Sequence, residues 1–176
     1  MSRPESPADA AVVFRTPWFE LLAKSVRAGE EPYYSLRLPD YTAIVAAIPD
    51  GRVLCVRQYR PAVDRYTLEL PSGLIDAGES PAEAARRELL EETGYEAAGV
   101  EVLGPMLPDT GRLGNRIWGC VASGLRCVDG REPEEGIHVV ALPVEELLRA
   151  TAAGEFDHAL HIAVILLAQL KGKFPA

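Results

Sequence analysis

Short apolar runs separated by turn residues recur along the chain, a pattern typical of a protein that mixes strands with helices. The runs predict strands at residues 18–26, 32–38, 41–48, 52–58, 67–70, 100–103, 116–122 and 136–142. Helical periodicity predicts one helix beginning at Pro81 and two more at residues 143–151 and 157–170. Strands and helices in this order predict an α/β fold, with a central mixed sheet between helix layers.

The run at residues 52–58 is apolar on both sides of its predicted strand. Val53, Cys55 and Arg57 share one side, whereas Leu54 and Val56 share the other. A strand with apolar residues on both sides is typically buried on both faces, so this segment should lie inside the sheet.

Length and composition predict a single domain over residues 11–176, because the chain is long enough to form a sizeable core. Residues 1–10 are rich in proline, serine and charge, and we expect a disordered tail without a signal-peptide core. The longest strongly apolar stretch, at residues 162–168, is too short to span a bilayer. We therefore expect no membrane partner.

Charge and cysteine usage narrow the partners and the compartment. The net charge of −8 argues against a nucleic-acid partner, which would require a basic face. The cysteines are odd in number and lack the spacing of a metal site; they are Cys55, Cys120 and Cys127. Cys55 and Cys120 fall in predicted strands and should be buried, which favours a reducing cytoplasm.

The segment around Pro81 carries strong helix-boundary signals. Ser80 and Glu83 form a capping box, and Pro81 occupies the first helical position. Gly94 supplies the left-handed residue that ends the helix. An apolar stripe should turn this helix towards the core; its members are Ala82, Ala85 and Leu89.

Glu88, Glu91 and Glu92 stand at positions i, i+3 and i+4 of this helix, so they share one face. Like charges this close repel one another and need a counter-charge. Mg²⁺ or Mn²⁺ would supply it, because these cations prefer oxygen ligands and commonly accompany phosphates. For Glu91 and Glu92 taken alone, a solvated acidic face is the alternative interpretation.

These residues belong to a longer pattern that resembles the Nudix box. The fixed positions of the box are matched by Gly73, Glu79, Arg87, Glu88, Glu91, Glu92 and Gly94. At about 7% for each residue type, roughly one random segment in 10⁸ would match them all, so the pattern is specific. Tyr95 is the one departure, since an aliphatic residue is commoner there. The resemblance implies a Nudix hydrolase with an α/β/α sandwich fold and an additional N-terminal antiparallel region.

The segments that flank the box resemble those of ADP-ribose and ADP-sugar pyrophosphatases. The likeness is carried by residues 56–61, 68–73 and 110–115. It implies that Mg²⁺, or Mn²⁺, binds to Glu88, Glu92 and Glu91 and to the backbone carbonyl of Ser72, where the group usually has alanine. We expect Arg87 to pair with Glu79 and to brace the loop against the ligand helix.

The resemblance also implies positions for substrate contacts. Trp18 and Tyr33 fall where relatives stack adenine, with ordinary packing as the alternative role and Tyr34 as the alternative to Tyr33. Phosphate contacts are expected from arginines that flank the box. Each of them taken singly is more often a surface residue than a ligand, but we expect at least two of the group to face the substrate. These candidates are Arg57, Arg60 and Arg112, followed by Arg65 and Arg116.

Relatives in this group use a loop glutamate to position or deprotonate the attacking water. Glu135 fits best by its distance to residues 142–143, and Glu134 or a solvated acidic loop is the alternative. His158 and His161 lie one turn apart on a predicted helix. Because no third ligand stands near them in the sequence, exposed or capped histidines are the simpler interpretation.

The resulting hypothesis is metal-dependent hydrolysis of the pyrophosphate bond of ADP-ribose or a related nucleoside diphosphate sugar, giving AMP and a sugar phosphate. The chemistry is assigned to Glu135, Glu92, Glu91 and Arg87. The alternatives are hydrolysis of a nucleoside triphosphate, a dinucleoside polyphosphate or a GDP-sugar, and a Nudix domain that only binds a nucleotide. The resemblance further implies a homodimer to which N-terminal strands at residues 12–38 contribute.

Overall fold

The computed structural model describes residues 10–27 and 29–175. The described residues divide into two compact units. The first contains those up to Asp40 together with Leu107–Arg116, and the second contains Tyr41–Met106 and those from Ile117 onwards. The tail expected at residues 1–10 lies outside the described residues except for Ala10, and the single domain expected from the length stays a prediction.

The first unit contains a three-stranded antiparallel sheet in the order β1-β2-β3. Its strands are β1 (Ala11–Arg15), β2 (Glu20–Lys24) and β3 (Tyr33–Arg37). The sequence pattern predicted β2 and β3 but not β1, whose residues are all exposed and show no alternation. Pairing with β2, which is not visible in the local sequence, therefore decides that β1 is a strand.

The second unit contains two sheets, one mixed and one antiparallel. The mixed sheet has the order β7-β4-β9-β8, in which β4 and β9 run parallel, and the antiparallel sheet has the order β10-β5-β6. The strands are β4 (Tyr41–Ala46), β5 (Val53–Arg60), β6 (Arg65–Glu69), β7 (Ser72–Leu74), β8 (Tyr95–Met106), β9 (Ile117–Cys127) and β10 (His138–Leu142).

Three helices complete the second unit: α1 (Pro81–Thr93), α2 (Val144–Ala153) and α3 (Ala159–Leu170). Strand β4 is buried on both sides. Successive side chains of a strand point to opposite faces of the sheet, so its alternate residues enter different apolar clusters. Its residues Ala43 and Val45 belong to the cluster that contains the apolar residues of α2 and α3. Its residues Ile44 and Ala46 belong to the cluster that contains Leu89 of α1. The expected α/β fold, with a mixed sheet between helices, is confirmed.

Several element boundaries differ from the sequence-based prediction. Strands β8 and β9 extend well beyond residues 100–103 and 116–122, since they pair with each other along almost their whole lengths. Strand β7 was not predicted and forms by pairing with the start of β4. On α1 the buried alanines are Ala84 and Ala85, whereas Ala82 is only half-buried. The predicted stripe is therefore confirmed for Ala85 and Leu89, which are fully buried, and wrong for Ala82, whose place is taken by Ala84.

The cysteines behave as expected. Cys55 and Cys120 are buried, Cys127 is exposed, and all three are free. Among the described residues, no helix is long and apolar enough to cross a membrane.

Candidate active site

Local signals set the two ends of α1 as the sequence predicts. The Ser80 side-chain oxygen accepts a hydrogen bond from the Glu83 backbone N–H, and the Glu83 carboxylate accepts one from the Ser80 backbone N–H. At the other end Gly94 has a φ of +73° and donates its N–H to the Leu90 carbonyl at 3.0 Å. The box carboxylates are thus carried by a helix that is capped at both ends.

The three carboxylates on one face of α1 differ sharply in burial. Glu92 is 4% exposed as a residue, and the Glu88 and Glu91 side chains are 13% and 40% exposed. Burial raises the pKa of Glu92 to about 8, although one carboxylate oxygen accepts the Ser72 backbone N–H at 2.8 Å. Burial also raises the pKa of Glu88. Glu88 and Glu92 therefore form the inner edge of the acidic face.

Gly73 is what allows Glu88 to approach the backbone of β7. A Cβ built at Gly73 would overlap the carboxylate of Glu88. Because the neighbouring Ser72 donates its N–H to Glu92, two adjacent backbone residues border two box carboxylates. The glycine of the box thus serves close approach, since its φ is not positive and no left-handed conformation requires it here.

Arg87 braces the loop that leads into α1, as the sequence predicts. Its guanidinium donates to both carboxylate oxygens of Glu79, at 3.0 and 2.9 Å, and to the Leu74 carbonyl at 2.9 Å. The same side chain also donates to Glu88 at 2.6 Å and to Glu91 at 3.1 Å. These carboxylates raise the pKa of Arg87, which remains a fixed cation.

The residues present fit a hard divalent cation. Every side-chain group on the acidic face offers oxygen, the ligand that Mg²⁺ and Mn²⁺ prefer. Arg87 partly neutralises Glu88 and Glu91, but the ion pairs of the described residues leave Glu92 without a cationic partner at bonding distance. A buried carboxylate of this kind strongly disfavours its charged form unless a counter-charge arrives.

The loop between β9 and β10 docks on the C-terminal end of α1. The Val128 N–H donates to the Gly94 carbonyl, and the Glu134 N–H donates to the Glu91 carbonyl, both at 2.9 Å. Glu134 also lines a cavity of about 360 Å³ together with Glu91, Arg131 and Glu132. Its charge raises the pKa of Glu88, behind the larger effect of burial.

The same loop carries Glu135, the first sequence candidate for the catalytic base. Glu135 is exposed and does not line the cavity beside Glu91. Of the two candidate glutamates, the alternative, Glu134, bonds to α1 through its backbone N–H and lines the cavity beside Glu91. The assignment to Glu135 stays a prediction, and the structure gives the alternative the stronger support.

A family model described as the NUDIX domain matches residues 38–171. The chain belongs to the Nudix family. The ADP-ribose pyrophosphatase of Mycobacterium tuberculosis is 35% identical over 128 residues, which cover 70% of this chain and 62% of the relative. The methanol dehydrogenase activator of Bacillus methanolicus is 32% identical over 117 residues, which cover 65% of this chain and 63% of the relative. The chain therefore spans less than two thirds of the length of these two curated relatives.

Structural comparison agrees with the sequence comparison. The crystal structure of an ADP compounds hydrolase matches this chain with a TM-score of 0.76 and 26% identity, over 98% of both chains. The resemblance to Nudix hydrolases, and within them to the ADP-ribose and ADP-sugar pyrophosphatases, is therefore confirmed.

An ion pair between the partly exposed Arg60 and the buried Glu69 of this Nudix protein lies beside the box. Arg60 donates two hydrogen bonds to Glu69, at 2.8 and 2.7 Å, and the Thr67 hydroxyl donates a third at 2.6 Å. Glu69 is 1% exposed. Burial alone would raise the pKa of Glu69, but the bonds from Arg60 and Thr67 lower it to about 2. Arg60 also acts electrostatically on Glu92, which places it near the acidic face.

The sequence analysis did not single out Glu69 or Thr67. A usable signal was present, because Glu69 stands between two leucines in a strand where a charge is rarely tolerated unless it is paired.

The other two candidate arginines of the second unit, Arg57 and Arg65, have separate surroundings. Arg57 lines a separate cavity of about 280 Å³ with Glu146 and Arg149 of α2, on the side of β5 that Cys55 also faces. Arg65 pairs with Asp157. The structure thus brings Arg60, but not Arg57, together with the buried carboxylates, and the substrate role of Arg57 stays a prediction.

The two histidines of this Nudix protein have a third potential ligand, contrary to the sequence-based expectation. His158 and His161 stack at 3.7 Å between ring centroids, and Glu69 offers an oxygen within 4.8 Å of their nitrogens. However, His161 Nδ1 accepts the Leu70 backbone N–H at 3.1 Å, so the neutral ring carries its proton on Nε2. Burial lowers the pKa of His161 to about 3.

His158 has a structural role at the start of α3. Its Nδ1 accepts the His161 backbone N–H at 3.4 Å, which caps the helix. In this arrangement both rings use their lone pair for a backbone N–H. The expected capped histidine is confirmed, and the existing hydrogen bonds compete with metal binding.

Three substrate candidates belong to the first unit. Arg112 lies over the Tyr33 ring, 5.0 Å from its centroid, and the Tyr33 hydroxyl donates to the Gly111 carbonyl. Trp18 is 72% exposed and lines a cavity of about 320 Å³ that Arg37 also lines. An exposed indole is available for stacking on a base. The substrate-binding roles of Trp18, Tyr33 and Arg112 stay predictions.

Gly94 is expected to matter for loop docking as well as for ending α1. A Cβ at Gly94 would lie 2.9 Å from the Arg131 carbonyl oxygen. Gly154 ends α2 with a nearly identical φ of +76°, but a Cβ there would meet nothing within 4 Å. Gly154→Ala should therefore lower the free energy of unfolding by about 1 kcal/mol, the strain of the left-handed conformation alone.

Gly94→Ala should lower the free energy of unfolding by at least about 1 kcal/mol more than the control variant Gly154→Ala does, because the loop that carries Arg131 must also move. Urea denaturation of the two variants and the wild type measures the difference. Equal losses of unfolding free energy in the two variants would show that the close approach of the Arg131 carbonyl to Gly94 does not affect stability.

Proposed function

We propose that this protein hydrolyses the pyrophosphate bond of ADP-ribose or a related ADP-sugar, giving AMP and a sugar phosphate. The observation that carries the proposal is the burial of Glu88 and Glu92 against the backbone at Ser72 and Gly73. The likeness to an ADP-ribose pyrophosphatase and to an ADP compounds hydrolase supports the choice of substrate.

Glu88, Glu92 and the Ser72 carbonyl would hold Mg²⁺, or Mn²⁺, with Glu91 as a further ligand. When bound, the cation would neutralise charge on the diphosphate and would lower the pKa of a water molecule. Arg87 holds Glu88 and Glu91 in place while it ties the helix to the loop at Glu79.

Arg60 is the arginine that we assign to the diphosphate. Its bonds to Glu69 use Nε and one terminal nitrogen, so the other terminal nitrogen keeps its donors for a phosphoryl oxygen. A guanidinium fixed in this way stabilises the charge that builds on phosphoryl oxygens without having to reorganise during the reaction.

Glu134 is the residue that we assign to orienting and deprotonating the attacking water. Its backbone is tied to Glu91, and its carboxylate lies close enough to Glu88 to affect that group's pKa. Glu135 is the alternative, and both glutamates are exposed on the same loop.

A substrate panel with Mg²⁺ tests the proposed reaction. We expect kcat/KM for ADP-ribose or an ADP-sugar to exceed that for nucleoside triphosphates, dinucleoside polyphosphates and GDP-sugars by about tenfold or more. Glu92→Gln should lower kcat by about 100-fold or more, since it weakens the cation site directly. Glu96→Gln, in an exposed ion pair with Arg126, is the control and should keep wild-type turnover.

If ADP-ribose and ADP-sugars have the lowest kcat/KM of the panel, the proposed specificity is wrong. Absence of turnover on every nucleotide would indicate a protein that only binds.

The two loop glutamates form a matched pair for testing the base. Glu134→Gln should lower kcat by about 10²- to 10⁴-fold, the usual contribution of a general base, whereas Glu135→Gln should stay within a few-fold of wild type. Initial rates at saturating substrate measure both effects. The reverse order would return the role to Glu135, as the sequence spacing first suggested.

We also propose a homodimer formed through the first unit. Several of its apolar side chains are strongly exposed: Val12, Val13, Phe14 and Trp18. Sheet surfaces of this kind are commonly covered by a partner. Sedimentation should show a particle of twice the chain mass, and a 19.1 kDa particle at micromolar concentration would contradict the dimer.

We propose that this protein resides in the cytoplasm. All three cysteines are free, and the exposed Cys127 would be prone to oxidation elsewhere. A reducing compartment suits a protein whose cysteines are free.

A further inference from the structure

The chain passes from one sheet of the second unit to the other at residues 70–71, a segment that we call the crossing. Strand β6 of the antiparallel sheet ends at Glu69, and strand β7 of the mixed sheet begins at Ser72. Glu69 bonds to Arg60, and Ser72 donates its N–H to Glu92. The crossing therefore connects the arginine assigned to the diphosphate with a buried carboxylate of the box.

Hydrogen bonds from two other elements hold the crossing. The Leu70 N–H donates to Nδ1 of His161, on α3, at 3.1 Å. Pro71 has no N–H, and its carbonyl accepts the Ile44 N–H of β4 at 2.9 Å. The backbone donor of the crossing is thus satisfied by a single side chain, which comes from the C-terminal helix.

The bond between His161 and Leu70 is buried. Leu70 is fully buried, and His161 is 1% exposed. The other buried residues of α3 are apolar: Val164, Ile165 and Ala168. A leucine would serve packing at position 161 equally well, but it would leave the Leu70 N–H without an acceptor, which is unfavourable for a buried donor.

The His161 ring is itself held in place from α3. It stacks on the His158 ring, with 3.7 Å between the centroids and 18° between the planes. His158 also accepts the His161 backbone N–H. Because burial lowers the pKa of His161 to about 3, its ring stays neutral and Nδ1 stays an acceptor at neutral pH.

We propose that His161 is a positioning residue for the metal site, which holds Leu70 so that the Ser72 carbonyl and the Ser72 N–H keep their places beside Glu92. This inference rests on the proposed function, which places a cation at that carbonyl and at the box glutamates. Pro71 alone separates Leu70 from Ser72, and its fixed φ leaves little freedom to absorb a displacement. A shift of Leu70 is therefore passed on to Ser72, and metal sites tolerate only small changes in ligand position.

Two substitutions of nearly equal shape isolate the hydrogen bond. Leucine and asparagine both branch at Cγ, as histidine does, but only asparagine offers an acceptor at the position of Nδ1. His161→Leu therefore removes the acceptor, and His161→Asn keeps it. His161→Met is a second variant without this acceptor and guards against a folding defect in the first, which thermal unfolding would reveal. Gly154→Ala is the stability control, because it strains the end of α2 without meeting another residue.

Binding of Mn²⁺ alone, followed by the electron paramagnetic resonance signal of the free ion, is the main readout. His161→Leu and His161→Met should raise Kd for Mn²⁺ by about tenfold or more, the usual effect of losing a group that orients a metal ligand. His161→Asn should stay within about threefold of wild type, because the orienting bond is retained. Gly154→Ala should bind Mn²⁺ as wild type does although it is less stable. The Mg²⁺ concentration that gives half-maximal turnover should rank the variants in the same order.

Folded His161→Leu and His161→Met variants that bind Mn²⁺ as tightly as wild type would overturn the inference and leave the proposed reaction intact. Equal weakening in His161→Leu and His161→Asn would overturn it as well, since the acceptor would then make no difference. A wild type that binds Mn²⁺, responds to the substitutions as expected and cleaves no nucleotide would support the inference and overturn the proposed function.

Discussion

The approach of two box carboxylates to the backbone of β7 is the constraint on which the rest of the site depends. Glu88 can come close only because Gly73 has no side chain, and Glu92 is held by the Ser72 N–H. Burying a carboxylate is unfavourable unless charge or hydrogen bonds compensate it, and Glu92 has one such bond and no bonded cation among the described residues. Such arrangements concentrate at functional sites, where a ligand completes the compensation.

Packing in the core holds the box carboxylates of α1 close to the backbone of β7. Strand β4 pairs with β7 through Tyr41–Ala43, and the alternate residues of the same strand pack against α1. Strand β7, which carries Gly73, and helix α1, which carries Glu88, are therefore positioned by one strand whose residues from Thr42 to Ala46 are all buried. Cores of native density resist small displacements, so packing helps to set the distance between β7 and α1.

Two polar regions of opposite character lie next to each other in the second unit. The face of α1 carries three carboxylates, of which Arg87 pairs with Glu88 and Glu91 but not with Glu92, whereas the ion pairs around Arg60 and Arg65 are balanced internally. Arg60 links the two regions, because it pairs with Glu69 and also acts electrostatically on Glu92.

The sequence alone determined the features of this protein that depend on neighbouring residues. The capping box, the glycine that ends α1, the shared face of the three glutamates and the pair of Arg87 with Glu79 all involve residues within a few turns of one another. Tertiary structure decided that Glu92 is buried while Glu91 is half-exposed, and that Glu134 is the loop glutamate tied to α1. It also placed His161 against Leu70, 91 positions away, and formed β1 and β7 by pairing. Local propensities are readable from spacing, but burial and partnership depend on contacts between distant segments, which no single stretch of sequence specifies.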